Sequence, residues 1–357
     1  MHSASRGIPD NLLAGNRKRG TNPYSTNRVE GIQMKIAFLH NRNFFTSELL
    51  KKSRATLAHH EVVEWIVGNN APAVDFEVLL ALGSVGRDLL NRQSKLELVQ
   101  TASDGYEEID IPAASELGIW VSYAPPDLTG NATSVAEFAI LLMLGAARHL
   151  GEALASASGN AFRPRQVNLA LSGKTVCIVG MGSIGRQLVD RLRPFGMKMI
   201  ATDEHPENAP ADVTAYPADQ LEAAAAHADF VVICVRASKE NENLINAAIL
   251  CAMRRGAILV NIARGMLIDE AALVDAIKDG HISAAGLDVL RNEPPDPKNP
   301  LLQLPQVLVT PHIAGLTDLM LDGTVNYISQ VIEEFADGKK MKSILNSPQK
   351  PRRLLHQ

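Results

Sequence analysis

From Met34 onward, short apolar, β-branched runs alternate with longer stretches whose apolar positions recur at helical spacing. That alternation predicts parallel sheets with helices laid over them. Five runs come first, at Lys35–Leu39, Val62–Val67, Val78–Leu82, Leu98–Gln100 and Ile119–Val121, and a helix fits each gap. Ala124-Pro125-Pro126-Asp127 then interrupts the rhythm, because prolines remove backbone donors and restrict the residue before them. Asn131 to Leu150, rich in Ala and Leu, is expected as one long amphipathic helix, and Ala155 to Leu171 as an irregular surface connection. A second set of strands is expected at Thr175–Val179, Lys198–Ala201, Val213–Tyr216, Phe230–Val235, Ala257–Asn261, Ala284–Leu287 and Val307–Val309. A last helix, Asp318–Phe335, should return to the first sheet, which needs cover.

The two ends break the pattern. Residues 1–33 are polar and basic, with Arg6, Arg17, Lys18, Arg19 and Arg28, and are expected to be a disordered extension or the product of an upstream start. Asp10, Glu30 and the lack of an amphipathic helix count against a transit peptide. The tail from Ser347 is again polar and basic and is expected to be loose. Between these ends, 46% hydrophobic and 21% charged residues suit two domains with full cores. A net charge of -4 offers no electrostatic case for nucleic acid or an anionic membrane, and no apolar run approaches a membrane span. Cys177, Cys234 and Cys251 lack metal-ligand or paired spacing, so no metal site is expected and the compartment should be the cytoplasm.

One strand carries a specific signal. Val176 to Val179 runs into Gly180-Met181-Gly182-Ser183-Ile184-Gly185, and the next apolar run ends at Asp203. Strand, glycine turn, helix, strand and acid in this order form the dinucleotide-binding fingerprint. Gly180 permits the tight turn, Gly182 lets the backbone approach a pyrophosphate, and Gly185 lets the helix pack on the sheet. The helix start adds unpaired N–H groups and a positive dipole end. Asp203 can accept from both ribose hydroxyls and repels a 2′-phosphate, which favours NAD.

Three further strand ends carry polar groups to the edge where open α/β sheets bind ligands. Arg264 follows Asn261-Ile262-Ala263 beside Gly265, where a guanidinium could hold a carboxylate and a neighbouring carbonyl. Asp288 ends another run, with Glu293 in the loop beyond. Thr310-Pro311-His312 presents a histidine at the third. Each alone is a common surface residue, but a carboxylate–imidazole pair beside a nicotinamide site suits proton transfer coupled to hydride transfer.

Gly180–Gly185 with Asp203, Asn261–Asp269, Ala285–Pro294 and Thr310–Gly315 together resemble the D-isomer-specific 2-hydroxyacid dehydrogenase family, over about Met34 to Asn346. The resemblance implies an α/β fold of two Rossmann-like or flavodoxin-like domains with parallel sheets and an active-site cleft between them. Residues 34–126 plus 316–346 would form the substrate-binding domain and 127–315 the NAD-binding domain, with 347–357 a loose tail. His312 would be the general acid/base, Glu293 its partner that raises its pKa, and Arg264 the group that binds the substrate carboxylate and polarises the carbonyl. Ser183 and Ile184 would lie over the pyrophosphate, with Asp203 on the ribose and Asp288 on the nicotinamide carboxamide. Val235, Arg236, Asn241, Ile262 and Ala263 would line the cofactor. Ala102, Ser103, Asp104 and Gly105, within Thr101–Tyr106, match the loop whose N–H groups hold the substrate carboxylate.

Two positions depart from the family's pattern. Arg236 replaces a usual proline and could pair with Asp203 or soften the bias against NADP, so NADP is not excluded. Asp104 replaces a small or apolar residue and, if it points into the cleft, would repel a second acidic group. Glutamate at 293 argues against a formate dehydrogenase, and the chain has no room for the regulatory domain of long phosphoglycerate dehydrogenases. The expectation is therefore an NAD-preferring oxidoreductase on a small 2-keto acid or D-2-hydroxy acid, of glyoxylate/hydroxypyruvate or D-lactate type, and a homodimer through Asn131–Leu150 and the segment after it. The alternatives are a non-catalytic NAD(H)-sensing protein like the family's corepressors and a short-form phosphoglycerate dehydrogenase.

Overall fold

Two all-parallel sheets organise the computed structural model, which describes residues 32–157 and 167–356. The expected N-terminal extension lies outside the described residues, apart from Ile32 and Gln33. The first sheet contains β1 (Lys35–His40), β2 (Glu61–Ile66), β3 (Val78–Leu82), β4 (Leu98–Thr101) and β5 (Trp120–Ser122), in spatial order β2-β1-β3-β4-β5. Helices α1 (Phe44–Thr56), α2 (Arg87–Arg92) and α3 (Ile111–Glu116) connect these strands. One gap departs from expectation: no helix joins β2 to β3. That connection reads Val67-Gly68-Asn69-Asn70-Ala71-Pro72, a cluster of turn formers, and only Phe76 near its end enters the core.

The chain then forms α4 (Asn131–Ala147) and α5 (Leu150–Ala157) before entering the second sheet. The single long helix expected here is broken at His149, whose φ of 46° lies in the left-handed region. The second sheet runs through β6 (Thr175–Val179), β7 (Lys198–Asp203), β8 (Thr214–Pro217), β9 (Phe230–Ile233), β10 (Ala257–Asn261), β11 (Ile282–Leu287) and β12 (Val307–Val309). Its order is β12-β11-β10-β9-β6-β7-β8, so the winding reverses between β6 and β9. At such a switch point a crevice opens at the carboxyl ends of the strands. Helices α6 (Ser183–Leu192), α7 (Leu221–Ala225), α8 (Ala247–Ala252) and α9 (Glu270–Lys278) connect these strands.

Buried apolar side chains cover both faces of each sheet, which is why the strands read as continuous apolar runs. Residues of α4 pack with β6, β9 and β10 on one face of the second sheet. The last helix, α10 (Asp318–Ala336), buries Val325, Ile328, Val331, Ile332 and Phe335 against Ile36, Phe38, Val78 and Leu80 of the first sheet. Gln33 to Gln357 is one compact unit, so residues carried by the two sheets can be described together.

The segment after Ser347 is not loose. The guanidinium of Arg352 donates to the carbonyls of Gln93, Leu96 and Leu117, at or just beyond the C-terminal ends of α2 and α3. Such carbonyls lack intrahelical partners and favour a cation. Arg353 pairs with Glu97 at 2.7 Å and its carbonyl accepts from Trp120 Nε1.

Candidate active site

The loop after β6 is shaped by backbone packing. Gly180 has φ +99°, and a Cβ there would lie 2.8 Å from the backbone of Val235. A Cβ on Gly185 would lie 2.2 Å from the Gly180 carbonyl oxygen, so glycine is required where α6 meets the strand. Gly182 differs: a Cβ would meet nothing within 4 Å. Nothing in the protein demands glycine at that point, and the open space above it, at the start of α6, fits a pyrophosphate. Gly182 caps α6 without a side-chain hydrogen bond, leaving the first-turn N–H groups, including those of Ser183 and Ile184, to face that space.

Asp203 ends β7 and its carboxylate accepts from Met181 N at 2.7 Å and His205 N at 2.8 Å. It thereby fixes the glycine loop while each oxygen keeps capacity for a ribose hydroxyl. Glu204 and Glu207 stand nearby in sequence and reinforce the negative charge there. The loop after β9 packs Val235 on Gly180 and is locked by Asn241, which donates to the Arg236 carbonyl and accepts from Ser238 N. Ile262 is buried, and Ala263 donates its N–H to Asn261.

The catalytic candidates sit at the ends of β10, β11 and β12. His312 Nδ1 lies 2.8 Å from Glu293 Oε2. Glu293 Oε1 accepts from Leu290 N at 3.1 Å. Burial alone would raise the Glu293 pKa, but the hydrogen bond and charge of His312, the Leu290 N–H and Arg264 outweigh it and hold the carboxyl below its ordinary value. Arg264 is held by Asn261, fully buried at the end of β10, whose Nδ2 donates to the Arg264 carbonyl. Gly265 is obligatory, because a Cβ would lie 1.9 Å from the backbone carbon of Leu290.

Asp288 follows β11, as the sequence places it, and is buried. Its buried carboxylate accepts from Thr310 Oγ1 at 2.6 Å, Ile313 N at 2.9 Å and Ala314 N at 2.8 Å. His312 N donates to the Asp288 carbonyl. Asp288 therefore holds the turn that presents His312, at a residue with φ 54°, and these bonds take most of its accepting capacity.

The first sheet supplies the facing loop after β4. Thr101 Oγ1 donates to the Ser103 carbonyl and Ser103 Oγ to that of Gly105, with Ala102 buried at the strand end. The N–H groups of Asp104 and Gly105 donate to no protein acceptor among the described residues, as a carboxylate-binding loop requires. A Cβ on Gly105 would lie 2.8 Å from Arg264 Nη2, so this loop and the guanidinium meet.

Arg236 is not paired with Asp203. It crosses to the first sheet, donating from Nη1 to the Asp104 carbonyl at 3.1 Å and lying 4.6 Å above the Tyr106 ring. Of the two roles expected for it, pairing with Asp203 is therefore not the one seen. The sequence reading missed Asn261, Thr310 and Glu107. A buried Asn at a strand end is a visible signal for the first, and Thr310 lies in the motif that presents His312, but nothing local marks Glu107.

Fold and edge together define a two-domain, dinucleotide-binding α/β protein. The NAD-binding domain model of the D-isomer specific 2-hydroxyacid dehydrogenases matches residues 140–314. Hydroxypyruvate reductase of Thermotoga maritima is 35% identical over 249 residues, covering 69% of this chain and 79% of that protein. D-3-phosphoglycerate dehydrogenase of Methanocaldococcus jannaschii is 36% identical over 273 residues, covering 76% of this chain and 51% of that protein. The chain spans about half the length of the curated phosphoglycerate dehydrogenases it matches. The NADPH-dependent glyoxylate/hydroxypyruvate reductase of Sinorhizobium meliloti superposes with a TM-score of 0.78 at 26% identity, covering 90% of this chain and all of that one. This chain belongs to the D-isomer-specific 2-hydroxyacid dehydrogenases.

Proposed function

We propose that the chain interconverts a small 2-keto acid and its D-2-hydroxy acid with NAD(H), as a cytoplasmic homodimer. The observation that carries this reading is the 2.8 Å His312–Glu293 pair on the sheet edge that also holds Arg264 and the dinucleotide loop. Bound NADH supplies the hydride. The N–H groups of Asp104 and Gly105 and the Arg264 guanidinium take the substrate carboxylate, and Arg264 polarises the keto group. Glu293 accepts from Nδ1 of His312, which turns Nε2 toward the substrate, and Nε2 delivers the proton to the 2-keto oxygen. In oxidation the same nitrogen takes the hydroxyl proton. Asp203 and its acidic neighbours support NAD over NADP. The half-exposed Leu141 on α4 and the exposed Leu154 on α5 support a dimer contact along those helices.

The test is NADH and NADPH oxidation with glyoxylate, hydroxypyruvate, pyruvate, 2-ketoisocaproate and phenylpyruvate. Turnover should fall by about 10²–10⁴ in His312→Ala while NADH still binds. Tight NADH binding without turnover of any of these acids would sink the proposal.

A further inference from the structure

The cleft holds charged groups that the proposed reaction does not use, among them Glu107 and Arg236. Glu107 follows the carboxylate-binding loop and lies between two guanidinium groups. Its Oε2 is 3.9 Å from Arg264 Nη2, and its Oε1 is 3.6 Å from Arg236 Nη1. All three side chains are roughly two-fifths exposed, so they face open cleft rather than core. Gly105 fixes the location: a Cβ there would lie 2.8 Å from Arg264 Nη2 and 3.0 Å from Glu107 Oε2. The pair therefore adjoins the N–H groups that receive the substrate carboxylate.

Arg236 is held in place by groups from the opposite sheet, the Asp104 carbonyl and the face of Tyr106. Tyr106 is itself braced edge-on by Tyr123, with centroids 5.4 Å apart. A guanidinium fixed in this way is a ready partner for an anion, and Glu107 already supplies one. The charges then balance. Arg264 and Arg236 carry two positive charges, which Glu107 and a single substrate carboxylate cancel. A second acidic group on the substrate would find the second guanidinium already beside Glu107 and would be repelled by that carboxylate.

We propose that Glu107, set between Arg236 and Arg264, is a specificity-determining residue that restricts the site to 2-keto acids with one acidic group. This rests on the keto-acid reading above. A substrate with an uncharged or hydroxylated third carbon fits, whereas a phosphorylated or dicarboxylic one competes with Glu107 for Arg236. The acid the structure places at Arg264 is thus Glu107, while Asp104 contributes its carbonyl.

Hydroxypyruvate and 3-phosphohydroxypyruvate differ only in the second acidic group and form the probe pair. In Glu107→Gln, which keeps the shape and removes the charge, kcat/KM for the phosphorylated acid relative to hydroxypyruvate should rise at least about fivefold. The double variant Glu107→Gln/Arg236→Gln should lose that gain, because the freed guanidinium is what takes the second anion. A smaller rise in the single variant, or a gain that survives in the double variant, overturns the proposal. Wild-type turnover of hydroxypyruvate judges the reaction separately. In the His312→Ala background, quenching of bound-NADH fluorescence by the two acids gives the ratio of their binding constants without turnover, so failure of one reading is distinguishable from failure of the other.

Discussion

The loop after β6 and the loop after β4 face the same cleft but are built on different principles. The first is made by backbone constraint: Gly180 and Gly185 are required by atoms within one sheet, and Asp203 fastens the turn through two N–H groups. The second is made by side chains that meet across the two sheets, Glu107 and Tyr106 from one and Arg236 and Arg264 from the other. A backbone-built site tolerates few substitutions, because an added Cβ meets main-chain atoms that cannot move aside. A side-chain-built site can be changed by single substitutions, and the choice of substrate resides there.

The comparison breaks most visibly at the glycines. Gly185→Ala forces a Cβ to within 2.2 Å of the Gly180 carbonyl and should destabilise the protein without cofactor by about 1–3 kcal/mol, read as a lower thermal midpoint. Gly182→Ala should leave that midpoint unchanged, since its Cβ enters open space, yet raise the NADH Kd at least about tenfold. NADH affinity in Gly182→Ala within twofold of wild type would show that the pyrophosphate does not lie above that residue.

That difference in construction also explains what the sequence could reveal. The β6 loop and Asp203 were legible because strand, glycine turn, helix, strand and acid follow one another in a recognisable order, and the ends of β10, β11 and β12 because apolar runs stop at polar residues. The strands were legible because both faces of each sheet are buried. The break at His149 was not, since it depends on the left-handed backbone at one non-glycine residue. Nor was the docking of the tail, where Arg352 finds helix-end carbonyls more than two hundred residues earlier. Asp288 stands out in the sequence as the polar end of an apolar run, but its partners Thr310, Ile313 and Ala314 appear only once β11 and β12 lie side by side. Glu107 was missed for the same reason, because its meaning comes from Arg236 on the other sheet.

A more moderate effect sharpens the division between the two loops. Asp203→Asn keeps an acceptor for the glycine loop but removes the charge that opposes a 2′-phosphate. The ratio of NADPH to NADH affinity should rise about tenfold. Arg236→Gln should leave that ratio within about twofold of wild type, because Arg236 lies on Asp104 and Tyr106 instead of Asp203. A cofactor switch in Arg236→Gln would mean that this side chain serves both edges, and the separation drawn here would fail.

The smallest effect tests whether the catalytic pair belongs with the rigid edge or the adjustable one. Glu293 is held below its ordinary pKa: burial would raise it, but the His312 hydrogen bond and charge, the Leu290 N–H and Arg264 together prevail. A carboxyl depressed in the folded state contributes stability that is complete above its ordinary value and is lost as the pH falls through the lowered one. Both partners are more than a third exposed, so solvent screening limits the contribution to about 0–1 kcal/mol. Glu293→Gln should therefore lower the thermal midpoint only slightly near neutral pH, and the deficit should fade as the pH falls below the ordinary glutamate range and through the lowered value. A deficit that grows on acidification would mean that Glu293 is stabilised in its protonated form. A fading deficit with a large loss of turnover would place the pair with the rigid edge, where little folding energy supports the orientation of one imidazole.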